Sequence, residues 1–322
     1  MRNFFVFLLI LLNLTLLAWI ASEKVEWQKW LRKTAYFKNF QPKQNKNKIA
    51  QECSFESNAL PLIQWELPKQ FAFAQEPLPL DNPIVRRRLY KELVAVAYSH
   101  AITTLNLQRA KYWFPQISPI LEKYQIPDDF KYIAVIESNL QNLISPADAR
   151  GFWQFLAGTA KEYDLEVSPE VDERYHPLKA TEAACKYFKS AYKAFGSWAC
   201  VAASYNMGMA ALKNVIETQK QSNYYRLHLN DETARYLYRA VATKMIFENP
   251  EKYGYKDGIP DFYPSNETYQ TITIRQTIPN LAEFAIQNNT DLMTLKELNP
   301  WLRGNTLTIV PPKTYEILLP KP

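Results

Sequence analysis

Hydrophobic and polar positions change rhythm several times along the chain. Phe4 to Ala21 is an apolar run broken only by Asn13 and Thr15 and preceded by Arg2. Its length predicts a signal anchor or transmembrane helix over residues 1–21. Leu16 and Trp19 stand two places before Ala18 and Ala21, where a cleavage site wants small residues, so the run reads as an uncleaved anchor. No cysteine follows it closely, which disfavours a lipid anchor. Residues 22–75 then read as a basic juxtamembrane segment and linker. Trp27, Trp30, Leu31 and Phe37 stand among lysines, a pattern that fits an interfacial helix on anionic lipid and a solvated linker equally well. Phe40 to Pro83 is rich in Gln, Asn, Lys and Pro, lacks helical periodicity and reads as a tether.

From about Asn82 to Asn249 apolar residues recur at helical spacing, and the loops are punctuated by Pro, Asp and Gly. Asp128 is placed to cap a helix whose Phe130, Ile133, Ala134 and Ile136 point inward and which runs into Glu137. Ala180, Ala184, Tyr187, Phe188, Ala191 and Phe195 form a stripe that Gly196 terminates. A helix from Trp198 carries Ala202 and Tyr205 and breaks at Asn206-Met207-Gly208. Another follows with Leu212, Val215 and Ile216 on one face. The last starts at Asn230 or Asp231, with Ala234, Leu237, Tyr238, Val241 and Met245 as its stripe. The pattern predicts a mainly α fold.

Composition narrows the chemistry. The chain has 7 glycines in 322 residues, against roughly 22 at the average frequency. No two of them stand in a G-x-G arrangement, which excludes dinucleotide fingerprints and P-loops. His100, His176 and His228 are scattered and the three cysteines show no CxxC spacing, so no metal is expected and no cofactor is implied. The net charge is +6, and all of it resides between Glu23 and Lys48, where eight basic residues face two acidic ones. The remaining body is close to neutral, so nucleic acid is not an expected partner. Aromatic residues make up 14% of the chain, enough for a large core or for a groove that stacks on sugar rings. Cys185 and Cys200 occupy apolar helical positions, as core thiols or as a disulfide.

Glu137 follows four apolar or small residues, Ile133-Ala134-Val135-Ile136, at a helix end beside a loop. Burial there raises a carboxyl pKa and keeps a proton available near neutral pH, as cleavage of a glycosidic bond requires. Four stretches then occur in order: Glu137-Ser138, Ala149-Arg150-Gly151-Phe152-Trp153-Gln154-Phe155, Ala203-Ser204-Tyr205-Asn206-Met207-Gly208, and Glu232-Thr233 followed by Tyr236. Together they resemble the motifs of the soluble lytic transglycosylase (SLT) catalytic domain, and Trp before Gln resembles the membrane-bound murein transglycosylase D subfamily. The resemblance covers roughly Asn82 to Tyr253 and implies a goose-lysozyme-like helical fold, with a domain over residues 76–258.

It further implies cleavage of the β-1,4 bond between N-acetylmuramic acid and N-acetylglucosamine in peptidoglycan glycan strands, without water. Most glycosidases use two carboxylates; here one Glu, Glu137, first gives and then takes a proton while the muramic acid's C6 hydroxyl attacks. By the same resemblance Gln154 faces the glycan and Gly151 lets the backbone approach it closely. Tyr205 bonds the Glu137 carboxyl or the sugar, or else is a core tyrosine, and Tyr236 is read in the same way. Asn206 fixes the turn that presents Tyr205. Trp153 and Phe155 form stacking walls or plain core, Ser138 and Ser145 bond the carboxylate or the substrate, and Glu232 caps its helix. Asp148 stands where the family often has Gly, and it tolerates a left-handed backbone. A lysozyme-type hydrolase and a non-catalytic peptidoglycan scaffold are the alternatives.

After Gly258 the pattern switches. Tyr269 to Ile274 alternates as a strand, Leu281 to Ala285 and Leu292 to Asn299 suggest two short helices, and Leu307 to Pro311 a final strand. This βααβ order over residues 263–322, with Leu298-Asn299-Pro300, resembles a LysM module, either glycan-binding or a structural cap. Its usual Gly-Asp-Thr-Leu start is replaced by Gln276-Thr277-Ile278-Pro279. The expected protein is anchored in the cell envelope through its N-terminal helix, with the catalytic domain in the periplasm. The basic residues that follow the apolar run argue for the opposite orientation.

Overall fold

The computed structural model describes residues 65–255 and 268–321. The apolar run Phe4–Ala21, most of the basic segment and tether, and Cys53 lie outside them. Among the described residues no helix is long and apolar enough to cross a membrane. These residues are mostly helical, with ten α-helices and two two-stranded sheets.

The folded body begins earlier than the sequence pattern suggests. Trp65, Leu67, Phe73 and Ala74, part of the expected tether, are buried. A hairpin of β1 (Ala72–Phe73) and β2 (Glu76–Pro77) carries them. The segment shows no period because separate side chains anchor it at irregular spacing, and no single face does so. Helix α1 (Pro83–Tyr98) follows, with Pro at its start and the Asn82 side chain accepting from Ile84 N at 2.9 Å. Helix α2 (His100–Lys123) continues through Pro115 and Pro119. Asp128 does not cap the next helix. Asp128–Phe130 is a 3-10 turn, α3 (Lys131–Ser138) starts after it, and the Asp128 carboxylate pairs with Lys131. The neighbouring Asp129 accepts from Ala74 N and Lys244 Nζ, each at 2.6 Å, and so ties the hairpin to the body.

Helices α4 (Ala157–Glu162), α5 (Pro177–Phe195), α6 (Trp198–Met207), α7 (Met209–Gln219) and α8 (Asp231–Glu248) complete the larger layer. Gly196, at φ +66°, ends α5 as expected. Asn230 caps α8 through Thr233 N at 2.9 Å. The apolar stripe of α8 is joined by buried Tyr236, Ala240 and Ala242, so the helix is enclosed, packed against α1, α3 and α6. At the start of α6 the cap comes from far away. The Glu76 carboxylate accepts from Trp198 N (2.6 Å), Ala199 N (3.1 Å) and Ser197 Oγ (3.0 Å), which satisfies open N–H groups at the positive end of the helix. Cys185 and Cys200 are buried free thiols.

In the C-terminal part, β3 (Tyr269–Ile274), α9 (Leu281–Gln287), α10 (Leu292–Leu298) and β4 (Tyr315–Pro320) give the βααβ order. The last strand lies downstream of the expected Leu307–Pro311. β4 pairs antiparallel with β3 from Tyr269 opposite Pro320 to Ile274 opposite Tyr315, while Leu307 makes a single bridge to Ile278. The Pro311-Pro312 pair has no N–H to extend a ladder, whereas Tyr315 to Pro320 alternates between buried and more exposed positions. A second core forms here, and it includes Val171 and Tyr175 from the loop before α5. That loop is stitched to the C-terminal part by Asp172 N to Trp301 O (2.9 Å), Arg303 N to Glu170 O (2.8 Å) and the Glu170 carboxylate to Thr306 and Thr308.

Candidate active site

Glu137 occupies the last turn of α3. Asn139 and Leu140 follow in left-handed conformations, at φ +56° and +53°, and turn the chain sharply away. Asn139 tolerates this backbone better than most residues and is clamped from α2. Asn106 Nδ2 donates to its side-chain oxygen at 2.8 Å and Arg109 to its carbonyl at 3.3 Å. These bonds brace the helix end, and Glu137 is half-buried in a cleft of about 610 Å³. Desolvation raises its carboxyl to about 7, with the nearby Glu232 adding to the rise. The Tyr236 hydroxyl, which donates to Oε1, and the Arg239 guanidinium act in the opposite direction.

One side of the cleft is the loop from Ser145 to Leu156. Four backbone devices shape it: Asp148 at φ +62°, Gly151 at +79°, Gln154 at +49°, and bridges from Arg150 to Ile144 and Phe155. Buried Arg174 braces both limbs, donating to Asp148 O (3.1 Å) and Phe155 O (3.3 Å) while Asp172 holds its guanidinium at 2.8 Å. The opposite side is the end of α6, where Gly208 at φ +86° lets the chain leave into α7.

The cleft brings together Glu137, Ser145, Gln154, Tyr205, Asn206 and Glu232. Tyr236 meets the site from beneath through its bond to Glu137. Several side chains serve differently from the expectation. Tyr205 lines the cleft, but its hydroxyl donates to Trp153 O at 2.7 Å and not to Glu137. Trp153 is fully buried, with Nε1 donating to Thr181 at 2.8 Å, and forms no sugar-facing wall. Ser138 is buried and bonds Ala134 O and Phe152 O, closing α3 onto the loop without reaching the carboxylate. At Gly151 it is the protein's own backbone that comes close, since a Cβ there would lie 1.8 Å from Arg174 O. Ser145 Oγ accepts from Ala149 N at 3.0 Å, and Gln154 Nε2 donates to Gly151 O at 2.8 Å. Asn206 joins α6 to α8 by donating to Glu232 (3.2 Å) and accepting from Thr233 Oγ1 (2.7 Å). Glu232 thus takes a bond from Asn206 and leaves the capping of α8 to Asn230.

Two residues escaped the sequence reading. Arg239 stands one turn after Tyr236 on α8, its guanidinium 5.8 Å from the Tyr236 ring; the i, i+3 spacing was the available signal. Leu156, about half exposed, offers an apolar patch at the cleft rim. Among the described residues no group of His, Cys, Asp and Glu is arranged to hold a metal ion.

Residues 118–227 match the family model of the transglycosylase SLT domain. The chain carries an SLT domain. Residues 270–322 match the soluble lytic transglycosylase C-terminal LysM-like domain. The SLT match contains Glu137, Gln154, Tyr205 and Asn206 and ends before α8, which supplies Tyr236 and Arg239. The chain is 26% identical over 248 residues to the membrane-bound lytic murein transglycosylase D of Escherichia coli (strain K12), covering 75% of this chain and 52% of that protein. The protein of that name from E. coli O6:H1 matches equally. A putative tributyltin chloride resistance protein from Alteromonas sp. (strain M-1) is 27% identical over 134 residues, 41% of this chain and 65% of its own. The chain spans about half the length of the transglycosylase D relatives it matches.

Proposed function

We propose that the protein is a peptidoglycan lytic transglycosylase acting on the bond between N-acetylmuramic acid and N-acetylglucosamine. The observation that carries this reading is the half-buried Glu137, poised at about 7 in a glycan-sized cleft. A protonated carboxyl near neutral pH serves as general acid, and its conjugate base then serves as general base. Tyr236 occupies Oε1, which leaves Oε2 to carry the proton. Glu137 gives that proton to the glycosidic oxygen as the C1–O4 bond breaks. The C6 hydroxyl of the same muramic acid then bonds to C1 and returns its proton to Glu137, leaving a 1,6-anhydro end and a regenerated acid. The rim carboxylate Glu232 is engaged by Asn206, and the reaction needs no second acid.

Mass spectrometry of the products tests this reading. The wild-type protein releases anhydro ends, and Glu137→Gln lowers their release at least about a thousandfold while glycan binding persists. Products heavier by one water would mean a hydrolase, and unchanged cellular function in Glu137→Gln would mean a scaffold. The reading includes an SLT domain over residues 76–258, a LysM-like module over 263–322 and a cell-envelope location, with residues 1–21 as the membrane anchor. A periplasm-active reporter fused after residue 60 should be active; a silent one overturns the location.

A further inference from the structure

A second cavity, of about 690 Å³, lies between α2, the chain leaving α3, and α10 with the turn after it. Three cations line it: Arg109, Lys296 and Arg303. Their hydrogen bonds go to neutral oxygens. Arg109 donates to Asn106 (3.2 Å) and Asn139 O, Lys296 to Asn305 (3.4 Å) and Arg303 to Pro300 O (3.2 Å). Among the described residues none of the three has an ion-pair partner, and Glu297 is the one carboxylate in the lining. Asn142 contributes a buried side-chain oxygen without a hydrogen-bond donor, while its Nδ2 is engaged by Tyr175 O at 3.1 Å. Trp113 and Phe152 supply an apolar wall. The lining therefore asks for a ligand with several carboxylates, an N–H for Asn142 and short apolar stretches.

The loop from Leu140 to Gln154 separates this cavity from the cleft, with Leu140, Gln141 and Asn142 on one side and Ser145 and Gln154 on the other. We propose that the second cavity binds the carboxylate-bearing peptide stem of peptidoglycan, so that the protein reads peptide as well as glycan. This rests on the proposed function for the substrate class, but its test does not depend on turnover.

The probe is the tripeptide L-alanyl-γ-D-glutamyl-meso-diaminopimelate, titrated calorimetrically into the detergent-solubilised full chain. Saturable binding is expected, weakened about tenfold by Lys296→Gln and by Arg303→Gln, restored by Arg303→Lys and tightened by Glu297→Gln. The fully amidated tripeptide should bind at least about tenfold more weakly. The proposal is overturned if the tripeptide does not bind, if the amidated form binds equally well, or if Lys296→Gln and Glu297→Gln leave affinity unchanged. Those two positions are neighbours on α10, Lys296 half-buried and Glu297 exposed, so they still decide the matter should Arg303→Gln unfold through loss of its stacking on Tyr175 at 4.3 Å. Failure here leaves the Glu137 chemistry untouched, and absence of anhydro products would leave the tripeptide titration standing.

Discussion

At Glu137 burial and hydrogen bonding oppose one another. Burial alone would make the carboxyl a reluctant donor that is slow to accept charge; the Tyr236 hydroxyl and Arg239 ease the charge it acquires after giving up its proton. Removing the Tyr236 bond should therefore raise the Glu137 pKa further. Tyr236→Phe is expected to shift the alkaline limb of the kcat/KM profile to higher pH and to lower the maximal rate about tenfold or more, as read from anhydro-product release across pH 5–9. The same burial has a consequence for stability. Because the folded state holds the Glu137 proton more tightly than the unfolded chain, its contribution is fully present below about 4.5 and is lost as pH rises through about 7. Glu137→Gln should thus melt higher than wild type at pH 8, with the gain vanishing towards pH 4. Thermal melts of both proteins over that range check it.

At the scale of elements, the helices were legible in the sequence and the loop between them was legible only as a motif. Ala180 to Phe195 announced α5 because one face is apolar and Gly196 stops it, and Asn230 announced the start of α8. What the spacing could not show is which groups the loop's polar atoms meet. Gly151 illustrates this: its role was assigned to the substrate, yet the close neighbour is Arg174 O in the loop's own framework. Trp153 and Ser138 likewise turned inward, because aromatic and hydroxyl groups satisfy themselves in a core as readily as in a cleft. Gly151→Ala is expected to destabilise the protein by roughly 3 kcal/mol, and denaturant unfolding measures it. Tyr236 was named from the motif with the Glu137 carboxyl or the sugar as its partner, and with α8 packed against α3 its hydroxyl donates to Glu137.

At the scale of the molecule, two hydrophobic cores share the loop before α5. Asp172 is bonded to Trp301 O on one side and grips Arg174 on the other, and Arg174 in turn braces both limbs of the cleft loop. The C-terminal part therefore belongs to the framework of the cleft. His176 sits at this seam, capping α5 through Nδ1 to Lys179 N at 3.4 Å and stacked on Trp301. Burial lowers its pKa to about 4, so the folded state favours the neutral ring. Stability should hold above about 6.5 and be lost as pH falls towards 4. His176→Asn, a neutral capping residue, is expected to flatten that part of the melting profile; an unchanged profile would assign the acid sensitivity elsewhere.

The long-range cap from Glu76 bears on how such chains can be recombined. A fragment cut to residues 118–227 would keep the motif residues through Asn206 yet lose Glu76, leaving the start of α6 with bare N–H groups next to the core, and would lose α8 altogether. Exchanging the residues before Asn82 with those of a relative would be safe only where the incoming segment brings an acid to the same place. The structural unit of this cleft therefore begins well ahead of its recognisable signature, inside a stretch whose composition looks like a linker.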